Sequence, residues 1–203
     1  MPKHITSLPN LLTYGRIIIV PLIVLCFFVE GRLHGSDAAR WWALGLFTIA
    51  SVTDFFDGYL ARIWNQTSNI GKMLDPIADK LLVAAILLLV VAADRTTADW
   101  TIWAAIIILC REILVSGLRE YLADLKISVP VTFLAKIKTT AQMIALGFLL
   151  AGPAGDKFLN NLLGISDSLS TDIGITLLWI AAIITMITGY DYFRAGLKHI
   201  VDE

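Results

Sequence analysis

Charge is scarce in this chain: Lys, Arg, Asp and Glu make up 16% of 203 residues against 57% hydrophobic ones, and the mean hydropathy is +0.75. An ordinary soluble domain carries much more charge on its surface, so a membrane protein is the first reading. The net charge is −1 and no long basic run occurs, which argues against a nucleic-acid partner. Cysteine is nearly absent. Cys26 and Cys110 each lie inside an apolar run, where a thiol behaves as a small hydrophobe, and neither a disulfide nor a thiolate metal site is expected. The first apolar run has no small-residue cleavage site and is too long for a signal peptide, so it is read as a retained span. Internal repeats and low-complexity segments are missing too.

What the chain has instead is long apolar stretches. A bilayer core about 30 Å thick needs roughly 20 helical residues, and suitable runs lie at 11–29, 41–63, 70–93, 100–122, 131–151 and 173–196. The expected fold is all-α: a polytopic membrane protein of six packed transmembrane helices, forming one domain over 1–203. The longest connection, 152–172, reads as a Gly, Asn and Ser-containing loop. Residues 3–10 are short and amphipathic, and read either as a segment lying along the interface or as a flexible tail, with Pro9-Asn10 as the break before the first helix. Six spans put both termini on one side. Twelve basic residues (Lys3, Arg16, Arg62, Lys72, Lys80, Arg111, Arg119, Lys126, Lys136, Lys138, Arg194, Lys198) fall on that side and four (Arg32, Arg40, Arg95, Lys157) on the other. The positive-inside rule therefore predicts cytoplasmic termini.

Four aspartates stand out against this apolar background. Asp54 and Asp57 are three residues apart and Asp75 and Asp79 four apart, so each pair shares one face of its own helix. The short connection between the two helices predicts antiparallel neighbours, with four carboxylates converging at their cytoplasmic ends. An aspartate at membrane depth costs roughly 2.5–3.5 kcal/mol, so four of them facing lipid would cost on the order of 10 kcal/mol. They are expected to face a polar cavity, and mutual repulsion calls for a cation to neutralise them. No His or Cys lies nearby, and an all-oxygen donor set favours magnesium, manganese or calcium, with four carboxylates suiting two ions. Gly58 and Ala61 fall beside this face, where small side chains serve either close approach of a ligand or helix packing. Pro76 is expected to kink the third span or mark its first turn.

The run Asp54-Phe-Phe-Asp57-Gly58-Tyr-Leu-Ala61-Arg62, then eight residues, then Gly71-Lys-Met-Leu-Asp75-Pro-Ile-Ala-Asp79 has every fixed position of D-x-x-D-G-x-x-A-R … G-x-x-x-D-x-x-x-D. On this signature the chain resembles the CDP-alcohol phosphatidyltransferases. The segments at 8–16, 111–120 and 136–142 extend the likeness over nearly the whole chain, toward the bacterial branch that uses glycerol 3-phosphate as acceptor. The resemblance implies transfer of the phosphatidyl group from CDP-diacylglycerol to glycerol 3-phosphate with release of CMP. It implies two divalent cations, Mg2+ or Mn2+, on Asp54, Asp57 and Asp75, with Asp79 as a further ligand or the general base. The cytidine diphosphate would be bordered by Gly58, Ala61, Arg62, Ser68 and Gly71, with Asn10 and Thr13 nearby. A homodimer in the cell's inner membrane, with the active site facing the cytoplasm, is implied as well.

A dianionic acceptor needs cations outside the acidic cluster, and Arg111, Arg119, Lys136 and Lys138 meet that need, with Glu112 and Glu120 to orient the arginines. The alternative for the four cations is snorkelling to the interface. Within the family, synthases of cardiolipin, phosphatidylserine or phosphatidylinositol phosphate share the aspartates. Outside it, a small cation channel or transporter would use intramembrane carboxylates near the midplane.

Overall fold

The computed structural model describes residues 8–32, 37–63, 69–93, 98–125, 127, 133–164 and 166–201, with side chains described over the same ranges except at 8–9, 30–32, 55–63, 69, 70, 72, 98–100, 124 and 197–201. These residues form six helices: α1 (Leu8–Arg32), α2 (Asp37–Ile63), α3 (Asn69–Ala93), α4 (Ala98–Asp124), α5 (Phe133–Leu163) and α6 (Leu169–Val201). Five contain segments long and apolar enough to cross a membrane: Asn10–Val29, Met73–Ala93, Thr101–Ala123, Phe133–Leu163 and Leu169–Gly196. The fold is all-helical and polytopic, as expected. Interfacial residues 3–7 lie outside the described residues. Pro9 is not a break but the second residue of α1, where its missing N–H would have had no helical partner.

Small and branched side chains hold the bundle together. Ala43, Phe47 and Ala50 of α2, Leu82 and Ile86 of α3, Ala104 and Ile108 of α4, Leu146 and Leu150 of α5, and Leu178 and Ala182 of α6 form one buried cluster. Alanine at the crossings lets the backbones approach closely, the usual means of helix association where lipid is as apolar as the core. Leu25, Phe28, Leu88, Trp103, Ile113, Ile183 and Ile187 stand exposed on the outer surface, which fits a hydrocarbon surround and not water.

Two expectations about connections are corrected. First, α2 and α3 do not pack extensively on each other among the described residues; α1 packs on both, while α5 joins α2 to α6 and α4 sits against α3 and α6. A polar stripe on α1, described below, bonds to the acidic residues of both helices and takes the place of a direct contact. Second, 152–172 is not a loop. α5 runs on to Leu163, and the chain only bends where Gly152 takes φ 44°, ψ −130°. Pro153 then starts the second part of α5 with a pre-set φ and no N–H to satisfy. Asp156 closes the turn that follows by accepting the Thr171 N–H at 3.0 Å and the Thr171 hydroxyl at 2.6 Å at the start of α6. Pro76, for its part, lies two turns inside a continuous α3 and not in its first turn, so the Lys72 carbonyl has no N–H partner at the fourth residue on.

Candidate active site

The polar stripe of α1 is built on the helical period: Asn10, Thr13 and Arg16 recur every third residue and are all at most 3% exposed. The Thr13 hydroxyl donates to Asp75 Oδ1 at 2.6 Å, and Arg16 Nη1 lies 2.5 Å from Asp54 Oδ1. One helix therefore fixes a carboxylate on each of two others. Burying a guanidinium without compensation costs several kcal/mol, so the Asp54 partner is what keeps Arg16 inside an apolar helix. Arg16 was counted above only as a topological charge. Its spacing from Asn10 and Thr13 was the available signal.

Asp54, Asp75 and Asp79 line one cavity of about 400 Å³, together with Lys80, Arg111, Glu112, Ser116, Arg119 and Glu120. The expected convergence of α2 and α3 is thus met at this cavity for three of the four aspartates. Asp57, Gly58, Ala61 and Arg62 continue along α2 with side chains outside the described set, and Ser68 lies outside the described residues. Gly71 is buried in the first turn of α3. Among the described residues no three His, Cys, Asp or Glu side chains stand close enough together to hold one metal ion. The donor chemistry nevertheless fits hard divalent ions: the cavity offers carboxylate oxygens and no sulfur or imidazole. Lys80 donates to Ser116 Oγ, tying α3 to α4 across the cavity floor.

A second cavity of about 680 Å³ lies between α4, α5 and α6 and carries the opposite charge. Arg111, Arg119, Lys136 and Lys138 all line it, so the four cations chosen from sequence come together. Arg111 is held on two sides: Nη1 lies 3.3 Å from Glu112 Oε1, and Nη2 donates to Thr188 Oγ1 at 3.0 Å. Thr188 passes its own proton to the Ile184 carbonyl at 2.9 Å, which leaves its lone pairs turned to the arginine. Lys138, 5% exposed, pairs with the same Glu112 oxygen. Glu112 does orient an arginine, as expected. Glu120 is exposed and forms no ion pair among the described residues, so that role falls to Glu112 alone. Arg119 stacks over Tyr192 with its guanidinium carbon 5.7 Å from the ring centroid, and Asp191 joins Tyr192 in the wall. The α6 residues Thr188, Asp191 and Tyr192 had no assigned part in the sequence reading, because nothing local links them to α4.

Asp79, Arg111, Glu112, Val115 and Arg119 line both cavities. A carboxylate-lined chamber and a cation-lined chamber therefore meet at Asp79. Such a pair suits two anionic reactants, one brought in with metal counter-ions and one bound directly by guanidinium and ammonium groups.

Comparison with known proteins gives the family. Residues 6–187 match the CDP-alcohol phosphatidyltransferase family. Among curated proteins, the chain is 45% identical to a CDP-diacylglycerol–glycerol-3-phosphate 3-phosphatidyltransferase of Rickettsia felis, covering 95% of this chain and 97% of that one. Proteins with the same designation from Cereibacter sphaeroides and Shigella flexneri are 41% and 37% identical, each match covering 97% of this chain and 98% of the relative. With the family match extending over most of its length and relatives this similar from end to end, the chain belongs to the CDP-alcohol phosphatidyltransferase family.

Proposed function

We infer that the chain transfers the phosphatidyl group of CDP-diacylglycerol to glycerol 3-phosphate, forming phosphatidylglycerophosphate and releasing CMP. The observation that carries the assignment of roles is the common wall of the two cavities at Asp79. The carboxylates of Asp54, Asp57, Asp75 and Asp79 would hold two divalent cations, Mg2+ or Mn2+, whose chemistry when bound is to neutralise the diphosphate and make CMP a better leaving group. Thr13 and Arg16 keep Asp75 and Asp54 turned into that chamber. Asn10, Gly58, Ala61, Arg62, Ser68 and Gly71 border the nucleotide.

Arg111, Arg119, Lys136 and Lys138 bind the acceptor phosphate, with Arg111 pre-set by Glu112 and Thr188. Pre-setting matters because a guanidinium already ordered loses little freedom on binding. The 1-hydroxyl of glycerol 3-phosphate then lies at Asp79, which takes its proton as the oxygen forms a bond to the phosphorus attached to diacylglycerol. The bond from that phosphorus to the bridging oxygen breaks, and CMP carries away the electron pair. The rival channel reading calls for carboxylates on a through-path, whereas here they end at a chamber beside an anion site. We place six crossings, both termini and the active site at the cytoplasmic face of the inner membrane, and a homodimer of single-domain subunits in the same reading; the distribution of basic residues supports the orientation.

Purified protein supplied with CDP-diacylglycerol, Mg2+ or Mn2+ and a panel of alcohols should release CMP with glycerol 3-phosphate, and chelation should abolish the release. CMP release with serine, inositol phosphate or phosphatidylglycerol but not with glycerol 3-phosphate would overturn the acceptor. Asp79→Asn should lower kcat roughly a hundredfold or more while CDP-diacylglycerol binding stays measurable by calorimetry. Near-normal turnover would remove Asp79 from the proton transfer.

A further inference from the structure

Beside the cation-lined cavity a smaller hollow of about 90 Å³ lies between α3, α4 and α5. Asp79, Glu112, Lys138 and Thr139 line both spaces, so the hollow adjoins the place where the acceptor hydroxyl reacts. Most of its wall is apolar, and on the α5 side Gln142 lines it one turn beyond Lys138 and Thr139. Gln142 is 4% exposed, and its Oε1 has no hydrogen-bond partner among the described residues. An amide oxygen buried in this way gives up its bond to water and gains nothing from the protein.

The neighbouring donors are already engaged. Lys138 is paired with Glu112, Lys80 donates to Ser116, and the Thr139 hydroxyl donates to the Ala135 carbonyl at 3.1 Å. None of these groups bonds to Oε1, so a ligand entering the hollow would complete its bonding only by bringing a donor of its own. The hollow is too small for a hydrated phosphate but has room for a hydroxyl-bearing carbon. In glycerol 3-phosphate the phosphate sits on one terminal carbon and the reacting oxygen on the other. With the phosphate on the cations and the reacting oxygen at Asp79, the central carbon passes beside this hollow.

We propose that Gln142 is a specificity-determining residue whose Oε1 accepts a hydrogen bond from the central hydroxyl of the acceptor. The inference rests on the proposed acceptor, and it adds a preference for polyol phosphates over simple hydroxyalkyl phosphates. A site built to pair a hydroxyl rejects the analogue lacking it, because the buried acceptor is then left without a partner.

The test compares glycerol 3-phosphate with 3-hydroxypropyl phosphate, which lacks only the central hydroxyl, and with the analogue carrying fluorine there, which keeps its size but cannot donate. Wild-type kcat/KM should fall roughly ten- to a hundredfold for both analogues. In Gln142→Leu the preference for glycerol 3-phosphate over 3-hydroxypropyl phosphate should shrink to within about threefold. A merely structural glutamine would lower both substrates together and leave their ratio intact, so an unchanged ratio in the variant overturns the proposal. If Gln142→Leu does not fold, Gln142→Met takes its place with the same ratio as readout, and equal use of all three acceptors by the wild type sinks the idea. Absence of CMP release from the wild type with glycerol 3-phosphate, while another alcohol reacts, would overturn the acceptor reading and this inference together; a flat ratio with good activity overturns the inference alone.

Discussion

Arg111 owes its position to residues on both sides of it, and one of them is a hydrogen atom. A Cβ built on Gly189 of α6 would stand 2.9 Å from Arg111 Cγ and 3.2 Å from its Nε. These atoms belong to the stem of the side chain, which cannot swing aside as a tip can without moving the guanidinium. Gly189→Ala should gain about 1 kcal/mol of helix propensity and lose about 1–3 kcal/mol to crowding. Stability should therefore fall by at most about 2 kcal/mol while the arginine shifts. We expect KM for glycerol 3-phosphate to rise about tenfold, with KM for CDP-diacylglycerol nearly unchanged, in steady-state CMP release. Unaltered acceptor KM would mean that Arg111 tolerates the displacement. The position was not legible in the sequence, since Gly189 is 78 residues from Arg111 and its role comes from a helix crossing. The aspartates were legible because charge in an apolar run must be explained locally. The same reasoning applied to Arg16 would have found it, had its pairing with Asp54 not looked like ordinary positive-inside charge.

At the scale of elements, the length of the apolar runs located all six helices but not their neighbours. A short connection between α2 and α3 predicts direct packing only if no third helix makes better contacts, and α1 does so through Thr13 and Arg16. The bend in α5 was misread for a related reason: Gly152-Pro153 is a stop signal locally, yet helix resumes at once because proline suits a first turn. Arg40 of α2, 6% exposed, occupies the space that Gly152 leaves, with its guanidinium carbon 5.3 Å from the Phe27 ring centroid. A methyl group at 152 would collide with that guanidinium and also force an L-residue to a φ of 44°. Strain of this kind costs about 1–3 kcal/mol, so Gly152→Ala should lower Tm by roughly 3–10 °C in thermal unfolding of the detergent-solubilised protein. Lys138 is fourteen residues away along α5, about 20 Å, so kcat/KM measured well below Tm should stay near wild type. A large loss of activity at unchanged Tm would show that the bend serves the site and not the bundle.

At the scale of the whole molecule, the two α1 contacts bear on the number of membrane crossings. Thr13 near the start of α1 bonds Asp75 near the start of α3, and Arg16 reaches Asp54 in the second half of α2. The start of α1, the later part of α2 and the start of α3 are therefore at one level, so a chain that leaves that level along α1 must return along α2. The 27 residues of α2 span about 40 Å, more than the roughly 30 Å of a hydrocarbon core, which is enough for the return. Its Thr48, Ser51, Thr53, Asp54 and Asp57 lower its hydropathy, yet its apolar run at 41–63 is still of crossing length. We therefore expect reporters fused at either terminus to lie in the cytoplasm and one inserted at residues 33–36 to lie on the opposite side. Termini on opposite faces would mean that α2 does not cross. That outcome would also separate Thr13 and Arg16 from Asp75 and Asp54 across the bilayer, so the reporter assay tests the active site as much as the topology.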